Sequence, residues 1–169
     1  MCIQYLQKDK KAVLFMKHIQ WKKLLLCIAI PLAVGGLAAL LTGSSMEKFS
    51  SLNQPPLAPP GWLFPVVWSI LYVLMGIASY LVLVSGKPNR TAVRLYAVQL
   101  AVNFLWPLLF FRWALYGFSF AWLVLLWVLI IATAMRFHAI SVPAGWLLAP
   151  YILWVTFAGY LNLSIAILN

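Results

Sequence analysis

Side chains that could do chemistry are rare in this chain, and acids are among the rarest of them. Only two acidic residues occur, Asp9 and Glu47. No carboxylate pair, serine–histidine–acid triad or phosphate-binding loop can be assembled from the residues present. The histidines His18 and His138 and the two cysteines lack the spacing of a metal site. We therefore expect no catalytic residue, no metal and no required cofactor, and the composition favours a binding protein over an enzyme.

Amide and aromatic side chains, in contrast, recur at helical spacing within long apolar runs. Three helical faces of this kind can be identified in the sequence: Pro65, Trp68, Tyr72 and Gly76; Gln99, Asn103, Trp106 and Phe110; and Pro150, Trp154, Ala158 and Leu161, with Asn162 adjacent. Buried amides are costly in lipid unless they bond to another helix or to a ligand. The three faces favour a binding pocket, although interfacial aromatic belts and amides that join helices would give similar patterns.

The composition predicts the environment of these faces. Hydrophobic residues make up 65% of the chain and charged residues 8%, with a mean hydropathy of +0.98. Soluble domains are about 45–50% apolar and about 25% charged. In lipid only helices or a closed barrel satisfy the backbone, and apolar runs of about 20 residues without alternation are typical of helices. We expect an all-α membrane protein, a bundle of five transmembrane helices.

Apolar runs long enough to span a bilayer occupy residues 24–42, 61–84, 91–111, 115–135 and 144–168. The first contains small residues that would let a neighbouring helix approach closely, namely Gly35, Gly36, Ala38 and Ala39. A proline-dense loop precedes the second, and its prolines exclude a helix or strand. Residues 1–23 form a basic tail, of which residues 1–15 can be an extension because Met16 is a second plausible start, and residues 24–169 form the membrane domain. No cleavage site is evident after the first run, so we expect it to remain as an anchor.

The positions of the basic residues explain the net charge of +10. Of the twelve lysines and arginines, only Lys48 and Arg112 fall on the side of the bundle opposite to the N-terminus. The positive-inside rule therefore predicts a cytoplasmic N-terminus, an outer C-terminus and an outer proline-rich loop. The lysine-rich tail would lie against anionic lipid headgroups, so nucleic acid is not needed as a partner. We expect a multi-pass protein of a bacterial plasma membrane.

In combination these segments resemble the translocator protein family, also called the tryptophan-rich sensory protein or peripheral benzodiazepine receptor family. The motifs are PLAVGG, SLNQPPLAPPGW, PVVWSILYVLMGIASYLV, QLAVNFLWPLLFF and LLAPYILWVTFAGYLN, and they extend over residues 31–162. The resemblance implies a five-helix bundle, often a homodimer. It also implies an outward-opening pocket, closed by the long first loop, that binds porphyrins, sterols and drug-like ligands.

The resemblance places the ligand-binding residues of the family on this chain. They are Pro59, Pro60, Trp68, Tyr72, Asn103, Trp106, Pro107, Trp154, Ala158, Leu161 and Asn162. The last helix departs from the cholesterol motif of animal members, which needs a tyrosine followed by a basic residue. Here the sequence after Asn162 reads LSIAILN, which argues against sterol binding at that position.

The function that the resemblance implies is binding and sensing of porphyrins. Their propionates would meet Lys48 or Arg112 at the outer mouth of the pocket. Because no axial ligand is expected inside, metal-free protoporphyrin should bind at least as well as haem. Two alternatives are a porphyrin-degrading enzyme that uses tryptophan and a transporter of porphyrins or sterols. The spans contain neither ionisable groups of a coupled carrier nor paired broken helices, which disfavours transport.

Overall fold

The computed structural model describes residues 19–45 and 51–169. Its helices are α1 (Trp21–Thr42), α2 (Leu63–Leu83), α3 (Arg90–Pro107), α4 (Tyr116–Ile140), α5 (Val142–Trp146) and α6 (Ala149–Leu168). A 3₁₀ turn, Gly43–Ser45, follows α1, and a π-helical turn, Leu108–Arg112, extends α3. No strand occurs in these two ranges.

Five segments are long and apolar enough to cross a membrane, and α5 and α6 together make the fifth. The predicted all-α bundle of five spans and the multi-pass membrane protein are therefore confirmed. The basic tail through residue 18, its proposed extension and Lys48 lie outside the described residues.

Two spans differ from the prediction by three residues or more at one end. The first helix begins at Trp21, three residues early, and α4 continues to Ile140, so that Arg136 and His138 lie on its last turns instead of in a link. Basic side chains lower the hydropathy near the end of α4, but they are favourable at a helix C-terminus and do not end the helix. The link to α5 is the single residue Ser141, whose extended backbone (φ −145°, ψ 112°) ends α4.

The five spans form a closed ring. In this ring α1 packs on α2 and α3, α3 packs on α4, and α4 packs on α6. Aromatic rings complete the ring between α2 and α6, where Trp68 and Tyr151 meet edge to face at 5.9 Å. The interior is apolar at its centre, with Met75, Leu126 and Ile130 fully buried.

The contact between α1 and α2 is close at one end and open at the other. At Gly76 a Cβ atom would lie 2.5 Å from the Cα of Ile28, so only glycine permits this approach. One turn of α2 closer to the proline-rich loop, the ring of Tyr72 fills the space beside Gly35. At Gly36 an added Cβ atom would have no neighbour within 4 Å. The two helices therefore touch near Gly76 and separate toward the end that carries the loop.

This geometry predicts that Gly76→Ala destabilises the bundle. The new methyl group would meet the α1 backbone, with Ile28 Cα at 2.5 Å and Cys27 O at 2.8 Å, so the helices must move apart. We expect a loss of about 2 kcal/mol in the free energy of unfolding, as for overpacking of a core. Denaturant titration of the purified protein in detergent measures it.

The matched control is Gly36→Ala, on the same helix pair but facing open space. It should leave stability unchanged or raise it slightly, because alanine favours a helix more than glycine does. Equal losses at both positions would contradict the close helix contact at Gly76.

Candidate functional site

A cavity of about 350 Å³ lies where α1 and α2 separate. Its lining residues come from α1, α2 and the end of α3: Leu32, Gly35, Gly36, Ala38, Ala39, Thr42, Phe64, Pro65, Trp68, Ser69, Tyr72, Trp106, Pro107 and Phe111. Tyr72 forms the floor, large rings form one wall, and the small residues of α1 form the other. The exposed lining residues Gly36 and Ala39 on α1, and Pro65 and Ser69 on α2, place the open side between these two helices.

The aromatic wall of this cavity is packed from behind. Trp68 lies 5.6 Å from Tyr72 and 6.2 Å from Trp106, measured between ring centroids. Trp106 in turn stacks on Phe110 at 5.6 Å and is only 4% exposed. Such ring pairs each contribute about 0.5–1.5 kcal/mol beyond area burial. Trp68 and Trp106 are therefore held in place before any ligand arrives.

Pro107 shapes the end of α3. It has no backbone N–H to donate to the carbonyl of Asn103, and the next turn is π-helical, with the Trp113 amide donating to Leu108 O at 3.0 Å. A π-turn adds a residue to the helical turn and shifts the side chains that follow. Phe111 in this turn borders the cavity.

A second, much smaller cavity of about 20 Å³ lies under the proline-rich loop. Its lining residues are Gln54, Ala58, Pro59, Phe64, Trp106, Phe110, Phe111, Ala158, Leu161, Asn162 and Ile165. This volume can hold about one water molecule. The described part of the loop covers this cavity and is tied to the end of α6, since the Asn53 amide donates to Asn169 Oδ1 at 3.0 Å.

Buried hydrogen bonds join three helices behind the floor of the large cavity. The Tyr72 hydroxyl donates to Asn103 Oδ1 at 2.8 Å, and Asn103 Nδ2 donates to the Tyr151 hydroxyl at 2.7 Å. Gln99 Nε2 donates to the same hydroxyl at 3.1 Å. Both amides are fully buried, and they bond to other helices, in agreement with one interpretation of the sequence. We call Tyr72, Gln99, Asn103 and Tyr151 the floor network.

A second set of hydrogen bonds fixes the wall. Asn162 Oδ1 on α6 accepts from Trp106 Nε1 at 3.1 Å and from Ser119 Oγ at 3.0 Å. Its Nδ2 donates to the Tyr116 carbonyl at 2.8 Å. Because Asn162 is 1% exposed, these bonds hold the Trp106 indole against both α4 and α6.

The structure distributes the expected ligand-binding residues over several places. Four line the large cavity, namely Trp68, Tyr72, Trp106 and Pro107. Pro59, Ala158, Leu161 and Asn162 line the small cavity, together with Trp106. Asn103 lies behind the floor.

Two further expected residues lie apart from both linings. Pro60 is exposed in the loop. Trp154 lies beside Phe64, with ring centroids 5.9 Å apart, and its indole N–H is buried without a hydrogen-bond partner in the described chain. Trp68 and Trp154 therefore do not face each other across one open space here.

The sequence reasoning missed the α1 side of the cavity and Phe64, Ser69 and Phe111. The small residues of α1 were interpreted as a surface for close helix packing. That holds for Gly35, which packs against Tyr72, whereas Gly36 and Ala39 border open space. Small residues at helical spacing give the same signal in both cases.

We predict that Tyr151→Phe destabilises the protein through the floor network. The change removes the acceptor of two buried amide donors, Asn103 Nδ2 and Gln99 Nε2. A loss of about 1–2 kcal/mol in unfolding free energy is expected, in line with hydrogen bonds between membrane helices and with unsatisfied buried donors. Tyr160→Phe on the same helix is the control, since Tyr160 is 41% exposed and should change stability by less than about 0.5 kcal/mol. Similar effects of the two changes would show that the network does not stabilise the bundle.

Comparisons with known proteins agree with this architecture. The model of the TspO/MBR family matches residues 27–168. The tryptophan-rich protein TspO of Chlorobaculum tepidum is 41% identical over 150 residues, which cover 86% of this chain and 95% of that protein. The translocator protein of Bos taurus is 41% identical over 138 residues, covering 79% of this chain and 82% of that protein. The tryptophan-rich sensory protein of Cereibacter sphaeroides is 36% identical over 123 residues, covering 73% and 77%. This five-span membrane protein belongs to the TspO/MBR family.

Proposed function

We propose that this protein binds flat hydrophobic ligands of the porphyrin class in the large cavity and serves as a membrane-bound sensor of them. The observation that carries the proposal is the cavity itself, about 350 Å³ with one wall of fixed aromatic rings. Small-molecule sites typically measure about 300–1,000 Å³ and are mostly apolar with few polar groups. The name of the Cereibacter sphaeroides relative, a tryptophan-rich sensory protein, supports the sensory role.

The wall suits a planar guest. The indole of Trp68 and that of Trp106 are tilted by only 32°, so a flat ring system could lie along both. Each such stacking contact is worth about 1 kcal/mol. The Trp106 N–H is already bonded to Asn162, whereas the Trp68 N–H donates to no described residue. Trp68 can therefore supply both a ring face and a hydrogen-bond donor to the ligand.

Arg112 is the cation proposed to meet the propionates of a porphyrin. It is exposed, follows the lining residue Phe111, and its Nη1 donates to the Leu41 carbonyl at 3.2 Å, beside the lining residue Thr42. A guanidinium can bind a carboxylate with two parallel hydrogen bonds. The other cation expected there, Lys48, lies outside the described residues.

Iron is not required for this mode of binding. Haem iron is held by histidine, cysteine, methionine or tyrosine. The described residues that line the large cavity include none of the first three, and the hydroxyl of the lining residue Tyr72 is already bonded to Asn103. Recognition through ring faces and propionates treats free-base protoporphyrin and haem alike. We propose that the metal-free ring binds at least as tightly as haem.

We further propose that the end of the bundle with the proline-rich loop faces outward. At the opposite end lie Lys22, Lys23, Lys87, Arg90, Arg94 and Arg136, in keeping with the positive-inside rule. The homodimer implied by the resemblance stays a prediction. Ala97 and Ala101, both exposed on one face of α3, offer a small-residue surface where a second copy could pack.

Ala39→Phe is expected to block the cavity. Ala39 lines it from α1, and a benzyl side chain there would occupy the space meant for the ligand. The dissociation constant for free-base protoporphyrin should rise at least about tenfold. Titration of the protein in nanodiscs, followed by tryptophan quenching and porphyrin absorbance, measures it, with haem titrated in parallel.

The matched control is Ala33→Phe, an exposed alanine of α1 that lies outside the cavity lining. The dissociation constant of this variant for free-base protoporphyrin should stay within about twofold of the value for the unmodified protein. Unchanged binding by Ala39→Phe, or equal losses from both variants, would place the porphyrin elsewhere. A clear preference for haem would contradict recognition without iron.

The orientation can be tested in intact cells with a membrane-impermeant thiol reagent. Single cysteines replace exposed residues at opposite ends of the bundle, Pro88→Cys and Gly117→Cys, in a chain whose two native cysteines have been removed. Gly117→Cys should be labelled in intact cells, and Pro88→Cys only after the membrane is opened. The reverse pattern would overturn the proposed orientation.

A further inference from the structure

The large and the small cavity are separated by a shared wall of three rings. Phe64, Trp106 and Phe111 line both cavities. On one side of this wall lies the space of about 350 Å³ between α1 and α2, and on the other the space of about 20 Å³ next to α6. Eight of the eleven expected ligand-binding residues line one or both of these two spaces. We call these three rings the partition.

The three rings of the partition are not held equally. Trp106 is 4% exposed, is hydrogen-bonded to Asn162 and stacks on Phe110. Phe111 meets Phe110 edge to face at 4.9 Å and Trp106 at 6.1 Å. Both rings therefore belong to one interlocked cluster at the end of α3.

Phe64 has a different setting. It is half-buried and lies in the first turn of α2, whose N-cap residue Trp62 makes no side-chain hydrogen bond to the helix. The first turn of a helix lacks intrahelical acceptors for its amides and opens more readily than the middle. The ring of Phe64 meets Trp154 on α6 edge to face at 5.9 Å. Phe64 is thus the ring of the partition that lies outside the interlocked cluster of α3, on a helix end that opens more readily than the middle.

We propose that Phe64 determines the size of ligand that the site accepts. The inference rests on the proposed function and deepens it. A flat ligand that fits the space between α1 and α2 binds with Phe64 in place. A larger ring system displaces the Phe64 side chain, joins the two cavities and reaches Ala158 and Leu161 on α6. Residues that lie in two separate spaces in this structure then contact a single ligand.

Removing the Phe64 ring should change affinity according to ligand size. For Phe64→Ala we expect free-base protoporphyrin to bind about five- to tenfold more tightly, because the contacts of the displaced ring no longer have to be broken. Binding of acridine, a flat probe of three rings, should change by less than about twofold. Phe64→Trp should weaken porphyrin binding. Phe64→Leu should strengthen porphyrin binding less than Phe64→Ala does, and it replaces the alanine variant in the test if that variant folds poorly.

The control is Phe157→Ala, because Phe157 also contacts Trp154, at 5.7 Å, but lines neither cavity. This variant should leave the dissociation constants for free-base protoporphyrin and for acridine within about twofold of their values in the unmodified protein. Equal changes for acridine and porphyrin in Phe64→Ala, or no change in porphyrin affinity, would overturn the role of Phe64.

A second measurement does not depend on porphyrin. Ala158→Cys, in a chain without native cysteines, places a thiol in the small cavity. Its labelling rate by N-ethylmaleimide should rise about tenfold when combined with Phe64→Ala, and should not rise with Phe157→Ala. Equal labelling rates of Ala158→Cys combined with Phe64→Ala and with Phe157→Ala would show that Phe64 does not separate the two cavities. Failure of the unmodified protein to bind porphyrin, with labelling that still depends on Phe64, overturns the proposed function alone.

Discussion

The rest of this structure depends on hydrogen bonds between buried amides of α3 and the phenols of α2 and α6. In lipid no water can satisfy an amide that lacks a partner, so the bonds made by Asn103 and by the Gln99 N–H fix which faces of the three helices meet. Asn103 is the central member, since it accepts from Tyr72 and donates to Tyr151. With these faces fixed, the aromatic rings one and two turns away are carried to defined positions. The floor network therefore determines the aromatic wall as well as its own polar contacts.

The cavity follows from the same network together with a close helix contact. Gly76 brings α2 against the backbone of α1 near Ile28. Further along, the ring of Tyr72 occupies the space beside Gly35, and its hydroxyl is held by Asn103. Because the ring cannot withdraw without breaking that bond, it keeps α1 away from the residues beyond it. The space between Ala39 and Trp68 is thus the consequence of a wedge placed between two helices that touch at Gly76.

Much of the fold could be predicted because membrane helices leave strong periodic signals. The face of Pro65, Trp68, Tyr72 and Gly76 is found intact: the first three residues line the cavity, and Gly76 touches the backbone of α1. The partner of each face could not be predicted, because spacing defines a face but says nothing about the helix opposite. Trp154 illustrates this limit, since it packs on Phe64, a lining residue of the large cavity, and does not line that cavity itself.

Two local features also escaped the sequence reasoning, for physical reasons. The π-helical turn Leu108–Arg112 carries the same apolar residues as an ordinary turn, and only the missing N–H of Pro107 hints at it. The continuation of α4 through Arg136 and His138 was missed because hydropathy reports burial in lipid and not the end of hydrogen bonding. Both features act at helix ends, where composition is a poor guide to the backbone.

The open side of the cavity lies between two membrane-spanning helices, and this restricts how a ligand can be recognised. Acyl chains are as apolar as the cavity wall, so transfer of a hydrophobic ligand from lipid into the cavity yields little hydrophobic free energy. Discrimination must come from features that acyl chains lack, namely flatness and polar groups. Rings held rigid by Asn162 and by the floor network can stack on a planar guest without losing conformational entropy of their own. Rigidity of Trp106 and Tyr72 is therefore a requirement for selective binding in this environment, and the buried hydrogen bonds behind these two rings supply it.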